Sequence, residues 1–341
     1  MKLIIDCMGG DHAPAEMLAG VVAAHKEYGG DYLLIGDENA IRQVAADRGY
    51  DLTPFDIRHT STVITMHDDA MAWRTEKKDA SMSLALRALA DGEGDAMVSC
   101  GNTGALFAGA TLLVRRAKGV HRAAIGTVLP FRPPVLLLDS GANVTVQPNF
   151  LVQFAIMGTA YMRAAYGMES PRVGLLNNGT ESTKGTELQK EAYALLSACP
   201  GIHFVGNVEA GSLPHGACDI VVTDGFSGNL TLKSFEGMGK LFSSRLKGVF
   251  KSGLGGALAY LLVKKQIKHL RRDFDASEIG GSPILGVRKP VIKAHGSSKE
   301  KAFKNAIRQA MTLTESGALE DMQTAMAAME NRAAGQESEG E

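Results

Sequence analysis

The feature that most restricts how this chain can fold is an alternation. Short apolar runs at 3–5, 32–35, 96–99, 125–129, 135–138, 173–176, 203–205 and 220–223 are mostly separated by stretches of helical periodicity at 14–28, 38–48, 81–90, 103–117, 149–166 and 187–197. Near-continuous apolar strands suit a sheet covered on both faces, and strand–helix alternation suits parallel pairing through crossover helices. The expected fold class is α/β, a three-layer α/β/α arrangement around a mainly parallel sheet. One connection departs from this: 135–138 follows 125–129 too closely for a crossover helix, so a local antiparallel pair turned at "FRPP" is predicted.

In such sheets ligands bind beyond the carboxyl ends of the strands, and glycine collects there. The chain has 39 glycines in 341 residues, above the usual share of about 7%. Polar, glycine-containing turns close five of the strand-like runs: "DCMGGDHAP" (6–14), "SCGNTGA" (99–105), "DSGANV" (139–144), "NNGTESTKGTE" (177–187) and "TDGFSGN" (223–229). In the first, Gly9 and Gly10 permit a tight bend and close backbone approach, and Pro14 suits the first turn of a helix. Exposed N–H groups at such a turn favour an anion.

Placed on one edge of one sheet, the five turns predict a shared anion or acyl site. Asn102, Asn178, Ser182, Thr183, Lys184, Ser227 and Asn229 are its candidate donors, and Asp6, Asp11, Asp139 and Asp224 its candidate orienting groups. His12, and His215 in "LPHGACD", can each serve as a donor near neutral pH or as a purely structural cap.

Several functions are disfavoured. A net charge of −1 and the lack of a basic, aromatic-rich segment argue against nucleic acid. The scattered Cys7, Cys100, Cys199 and Cys218 form neither a zinc motif nor a disulfide framework, which fits a reducing cytoplasm. The first apolar stretch is too short for a signal segment, and no run reaches the roughly 18 apolar residues of a spanning helix. There is no G-x-S-x-G elbow, no G-x-x-x-x-G-K-[ST] loop and no metal-ligand spacing, and "GNTGA" lacks the G-x-G-x-x-G pattern. What remains is a set of backbone N–H groups, amides, hydroxyls and one lysine, which suits holding an oxyanion and stabilising developing negative charge. Attack by phosphate on an activated acyl group has that character.

The stretches "DCMGGDHAP", "CGNTGA", "LLNNGTESTKG" and "TDGFSGN" resemble, in order, those of the bacterial phosphate acyltransferases of phospholipid synthesis. The likeness runs from about Lys2 to the C-terminal tail. It implies transfer of a fatty acyl group from acyl carrier protein to inorganic phosphate, giving acyl phosphate for acylation of glycerol 3-phosphate by a membrane acyltransferase. It also implies a homodimer, no cofactor, no metal, and a fold like those of phosphate acetyltransferases and isopropylmalate dehydrogenases. On this reading Gly9, Gly10, Gly101, Asn102, Thr103 and Gly104, with Asp6, His12 and Ser227, bind phosphate or substrate. Lys184, Asn178, Asn229 and His215 form the catalytic set. Cys7 stands where the family is expected to carry a smaller residue such as alanine, and reads as buried filler. Alternatives are a phosphate acetyltransferase acting on a coenzyme A ester, an isopropylmalate-type dehydrogenase, and a non-enzymatic adaptor at a membrane surface.

Residues 1–328 read as one catalytic domain and 329–341 as a disordered tail. Within the domain, about 238–274 reads as a projecting helical segment that pairs with its two-fold mate and meets the membrane. Positions 237–272 carry nine Lys or Arg and no Asp or Glu. From Tyr260, apolar residues recur every three or four positions with Lys264, Lys265 and Lys268 between them, after a flexible, uncharged "SGLGGALAYLLV". Leu254, Leu258 and Leu261 with the three lysines are the expected contacts to an anionic surface. The same basic face is also suited to an acidic carrier protein.

Overall fold

The computed structural model describes residues 1–273 and 276–338, with the side chains of all of these except Leu254, Ala257, 268–273, 276 and 330–338. The strands are β1 (Lys2–Asp6), β2 (Asp31–Gly36), β3 (Phe55–His59), β4 (Ala96–Ser99), β5 (Ala124–Leu129), β6 (Val135–Leu138), β7 (Arg172–Leu176), β8 (His203–Val208), β9 (Ile220–Val222), β10 (Gly281–Leu285) and β11 (Val291–Ala294). The helices are α1 (Ala15–Tyr28), α2 (Glu38–Arg48), α3 (Ser81–Ala90), α4 (Thr103–Gly109), α5 (Pro148–Tyr166), α6 (Glu187–Ala198), α7 (Gly225–Phe250), α8 (Leu254–Asp273), α9 (Glu300–Glu315) and α10 (Ala318–Ser338). Helix ends follow local chemistry. Asp37 caps α2 by accepting from the Asn39 and Ala40 N–H groups (2.9 and 3.2 Å), and Gly49, at φ +67°, stops it.

All described strands join one sheet in the order β3-β2-β1-β4-β11-β10-β5-β6-β9-β7-β8. Pairing is parallel on either side of the centre, and β5 and β6 form the predicted antiparallel pair. The centre holds a feature that periodicity does not reveal. Because β10 is antiparallel to both β11 and β5, and β5 to β6, the block β6, β9, β7, β8 runs opposite to β3, β2, β1, β4, β11. The five glycine-containing turns therefore do not share an edge: those after β1 and β4 lie on one, and those after β6, β7 and β9 on the other.

Alternation within β1 shows how the layers form. Leu3 and Ile5 join a core beneath α1, α2, α5, α6, α9 and α10 that runs under the whole of one face, whereas Ile4 joins a smaller core under α3 and α4 on the other. On that second face, β6 and β9 are covered separately by the base of α7 and the 3₁₀ helix Ala210–His215. The two coverings leave a seam over the central strands.

Helices α7 and α8 form a hairpin. Only Gly225 and Gly228 of α7 are buried, and Leu232 and Phe235 pack beside them, so its distal half leaves the sheet. Phe250 and Tyr260 pack ring to ring (5.4 Å between centroids) near the bend. The segment expected to be flexible is helical from Leu254. Of the expected disordered tail, 329–338 is likewise helical, in keeping with its alanines and glutamates, and 339–341 lies outside the described residues.

Candidate active site

Asp6 anchors the first turn. Its buried carboxylate accepts from Ser81 Oγ and Ser99 Oγ (2.6 Å each) and from the Met8 N–H (3.2 Å). Burial pushes its pKa above the usual carboxylate value, against hydrogen bonds that favour the charged form. The Gly9 N–H also faces this carboxylate, and the Gly101 N–H donates to Ser99 Oγ (3.0 Å). The two turns approach so closely that a Cβ on Gly9 would lie 2.5 Å from Gly101 N, and one on Gly10 (φ +99°) 2.9 Å from the Gly296 carbonyl oxygen. Asn102 caps α4 through Oδ1 and donates through Nδ2 to the Thr65 and Asp68 carbonyls, each at 3.1 Å. The donors of Gly9, Gly101 and the Asn102 amide, expected to meet a phosphate, are thus engaged inside the fold. His12, Thr103 and Gly104 stay exposed. Cys7 is fully buried, and burial pushes its thiol well above the ordinary range.

At the opposite edge Asp139 gathers its own loop, accepting from the N–H groups of Gly141, Ala142 and Asn143 (3.1, 3.0 and 2.6 Å) and from Asn143 Nδ2 (2.8 Å). Asp224 caps α7 by accepting from the Ser227 N–H (2.8 Å), so Ser227 and Asn229 lie in the first turns of a helix rather than in a loop. Asn229 is exposed and stands over Gly141. Beyond β7, Asn177 folds back its turn by donating to the Lys184 carbonyl (3.1 Å). The exposed side chains of Asn178, Lys184 and Asn229 make no hydrogen bond or ion pair among the described residues.

These groups do not converge with the first turn. Seven strand steps separate β1 from β7, roughly 34 Å at normal strand spacing. His215 is also elsewhere: it ends the 3₁₀ helix that leads to the amino end of β9, beside the Pro133 turn and on the edge opposite Lys184. A strand parallel to its predecessor must be entered from the far side, which carries His215 away from the other three catalytic candidates.

Between the two edges the seam has a polar floor. Ser99 donates to Asp6, Lys293 pairs with Ser99 in register, Ser282 pairs with Lys293, and Ser282 Oγ meets Thr127 Oγ1 at 2.9 Å. Thr127 Oγ1 then meets Ser140 Oγ at 2.8 Å, one residue from the Gly141 over which Asn229 stands. Lys293 is 8% exposed, whereas Thr127 and Ser282 are half-buried, so solvent reaches the row at its middle. Burial draws the Lys293 pKa below the usual lysine value, opposed by Cys100, Asp6 and Asp11. Lys293, Ser282 and Thr127 were not among the predicted residues. A usable signal was "PVIKAHG", where a lysine occupies the inward phase of an apolar strand.

A depression of about 590 Å³ between α2 and β3, lined by Arg42, Tyr50 and Asp51 among others, contains none of the predicted residues. Among the described residues no group of three or more His, Cys, Asp or Glu is placed to hold a metal ion, and no helix is long and apolar enough to cross a membrane.

Residues 1–320 match the family model described as fatty acid synthesis protein. The chain is 43% identical over 332 residues to the phosphate acyltransferase of Acetivibrio thermocellus, covering 97% of this chain and 98% of that one. It is 44% identical over 317 residues to that of Oceanobacillus iheyensis, covering 92% and 94%. Among solved structures it superposes on a phosphotransacetylase from Streptococcus pyogenes with a TM-score of 0.61 at 17% identity, covering 92% and 94%. A branched-chain phosphotransacylase from Enterococcus faecalis gives 0.54 at 15%, covering 91% and 98%. At those identities the structures establish the shared fold alone.

Proposed function

The chain belongs to the phosphate acyltransferase family, and on that premise we propose that it moves a long-chain acyl group from the thioester of acyl carrier protein to inorganic phosphate. The observation that carries this reading is the set of unengaged donors Asn178, Lys184 and Asn229 on the ends of neighbouring strands β7 and β9. In the proposed step an oxygen of hydrogenphosphate attacks the thioester carbon, and the C–O bond forms. These three side chains stabilise the oxyanion of the tetrahedral species. The C–S bond then breaks and the phosphate's proton ends on the carrier thiol, leaving acyl phosphate. A dehydrogenase reading falls with the family.

The hairpin extends the proposal to location. Leu258, Leu261 and Leu262 are 61, 68 and 75% exposed beside Lys264 and Lys265, which supports reversible docking on an anionic leaflet at the cytoplasmic side. There the acyl phosphate forms close to a membrane glycerol-3-phosphate acyltransferase that consumes it. The side chains of Leu254 and Lys268, two further expected contacts, lie outside the described residues. Exposed Met238, Leu241 and Phe242 on α7 support pairing with a second copy.

The test is to incubate the purified chain with long-chain acyl-acyl carrier protein, with and without phosphate, and to seek acyl phosphate by mass spectrometry. A parallel reaction uses acetyl-CoA. Phosphate-dependent acyl phosphate from the carrier thioester is the expected result. Turnover of acetyl-CoA alone would move the donor to coenzyme A, and no phosphate-dependent thiol release from either would defeat the proposal.

A further inference from the structure

The seam holds a buried cation that the mechanism above leaves unused. Lys293 Nζ donates to the Ala294 carbonyl and, at 3.4 Å, to that of Cys100. No carboxylate lies within ion-pairing distance among the described residues, and Asp6 and Asp11 act on it only from farther away. Two carbonyls occupy two of its three N–H groups and cancel none of its charge. Burying an ammonium group in this way is unfavourable unless an anion offsets it.

The neighbouring hydroxyls specify which anion. Ser140 Oγ meets the Ile125 carbonyl oxygen (3.0 Å), which can only accept, so the Ser140 proton points there. Thr127, 2.8 Å away, must then donate to Ser140, and Ser282, 2.9 Å farther on, must donate to Thr127. Each hydroxyl has one proton, so the exposed end of the chain, Ser282 Oγ, presents lone pairs. It lies directly opposite Lys293 in antiparallel register, on the same face of the sheet. A cationic donor on one strand and, at the paired position of the next, a hydroxyl that can only accept match an oxyanion that still carries a proton and bridges the two strands. Near neutral pH inorganic phosphate keeps a P–O–H group, whereas sulfate and a phosphodiester have none.

We propose that Lys293 and Ser282 form the subsite for the attacking hydrogenphosphate ion, with Lys293 supplying charge and Ser282 accepting the ion's own proton. The assignment rests on the acyl-transfer reading only for its purpose. It places the ion on the seam floor, at the end of the hydroxyl chain that leads through Thr127 to Ser140, next to the Gly141 over which Asn229 stands. Ser282 becomes a specificity-determining residue and Lys293 a binding one.

The test measures binding of inorganic phosphate to the full chain by calorimetry without any acyl donor, and then steady-state kinetics with phosphate and the acyl donor varied separately. Wild type should bind phosphate and bind sulfate much more weakly. Lys293→Met should weaken phosphate binding by about tenfold or more and raise the phosphate KM to match, leaving the donor KM near wild type. Ser282→Ala, a small change at a half-buried position, should weaken phosphate severalfold while sparing sulfate, so the ratio between them narrows. If Lys293→Met does not fold, the Ser282→Ala ratio decides alone. Absence of phosphate binding in wild type, unchanged phosphate affinity in Ser282→Ala, or a rise confined to the donor KM would each overturn the subsite. Binding that behaves as expected in a protein that transfers no acyl group would retain the subsite and defeat the acyl-transfer reading.

Discussion

The interlocked turns after β1 and β4 and the turns after β7 and β9 are built from the same residue types and do opposite things. In the first pair, Asp6 draws in Ser81, Ser99 and the Met8 N–H, Ser99 holds the Gly101 N–H, and Asn102 is bonded on both sides of its amide. Its polar groups are satisfied internally, and its glycines let two backbones touch. In the second, backbone and caps close the turns, leaving Asn178, Lys184 and Asn229 facing solvent. Glycine, aspartate and asparagine after a strand thus mark a tight turn. Whether that turn is also a site depends on which donors remain unengaged.

The sharpest way to break this contrast is to remove a free donor. Lys184→Ala or Asn229→Ala should reduce turnover by about 10²–10³-fold, the usual loss for one oxyanion donor, with no fall in thermal midpoint, because neither side chain has a partner among the described residues to lose. Wild-type rates in a folded variant would transfer the chemistry elsewhere. On the other side of the contrast, Gly9→Ala forces a Cβ to within 2.5 Å of Gly101 N, where backbone and not a flexible side chain must yield. A stability loss of about 3 kcal/mol in denaturant unfolding is expected, with turnover per folded molecule close to wild type. Unchanged stability would mean that the two turns are not packed as described.

The two halves should also differ in acid. Burial raises the Asp6 pKa, so its protonated form is favoured by folding, and stability falls as pH rises from the unfolded carboxylate value through the raised one. Asp219 has the reverse sign. Burial opposes its charge, but Arg172 meets it with Nη2 at 2.9 Å and Nε at 3.0 Å, and its pKa falls. Its contribution is complete above the unfolded value and is lost as pH drops through the lowered one. Asp219→Asn should therefore flatten the acid limb of the stability profile and Asp6→Asn remove the opposing slope. Equal slopes in both variants would show that the two carboxyl environments are alike.

Much of the architecture was legible because it depends on local periodicity. The run at 135–138 and its turn gave the antiparallel pair, and 38–48 matches α2 residue for residue. Strands β3, β10 and β11 were not read. "FDIRH" is polar along an edge, and Gly281 and Pro283 in "GSPIL" look like turn residues. Missing β10 had the larger consequence, because the reversal of strand direction arises from its pairing with β11 and β5, contacts set far apart in the chain. Without it all five turns fall on one edge, whereas the distance of His215 from Lys184 follows from the parallel pairing of β7, β8 and β9. The candidate donors could be named from residue type. Their engagement could not, since Asn102 and Asn178 look the same until the partners of their amides are known.

The smallest expected effect on the folded protein concerns the hairpin, and it separates the sheet from its projection. Leu258, Leu261 and Leu262 belong to none of the apolar cores, so replacing one with a charge removes no packing in the sheet. Leu258→Glu should change stability by no more than about 0.5 kcal/mol and leave acyl-phosphate formation in solution intact. On anionic vesicles it should act strongly, because a carboxylate replaces the apolar surface that enters the headgroup boundary and also faces negative lipid. Lys264→Glu with Lys265→Glu probes the other component. Each lysine near such a surface contributes about 1 kcal/mol, screened within a Debye length. The double variant should therefore lose flotation mainly at low salt, whereas Leu258→Glu loses it at every salt concentration. If Leu258→Glu unfolds the chain, the leucine is core after all. If flotation persists in both variants, the exposed apolar face serves the pairing of two copies, and a monomer–dimer shift in sedimentation of Leu258→Glu would identify that role.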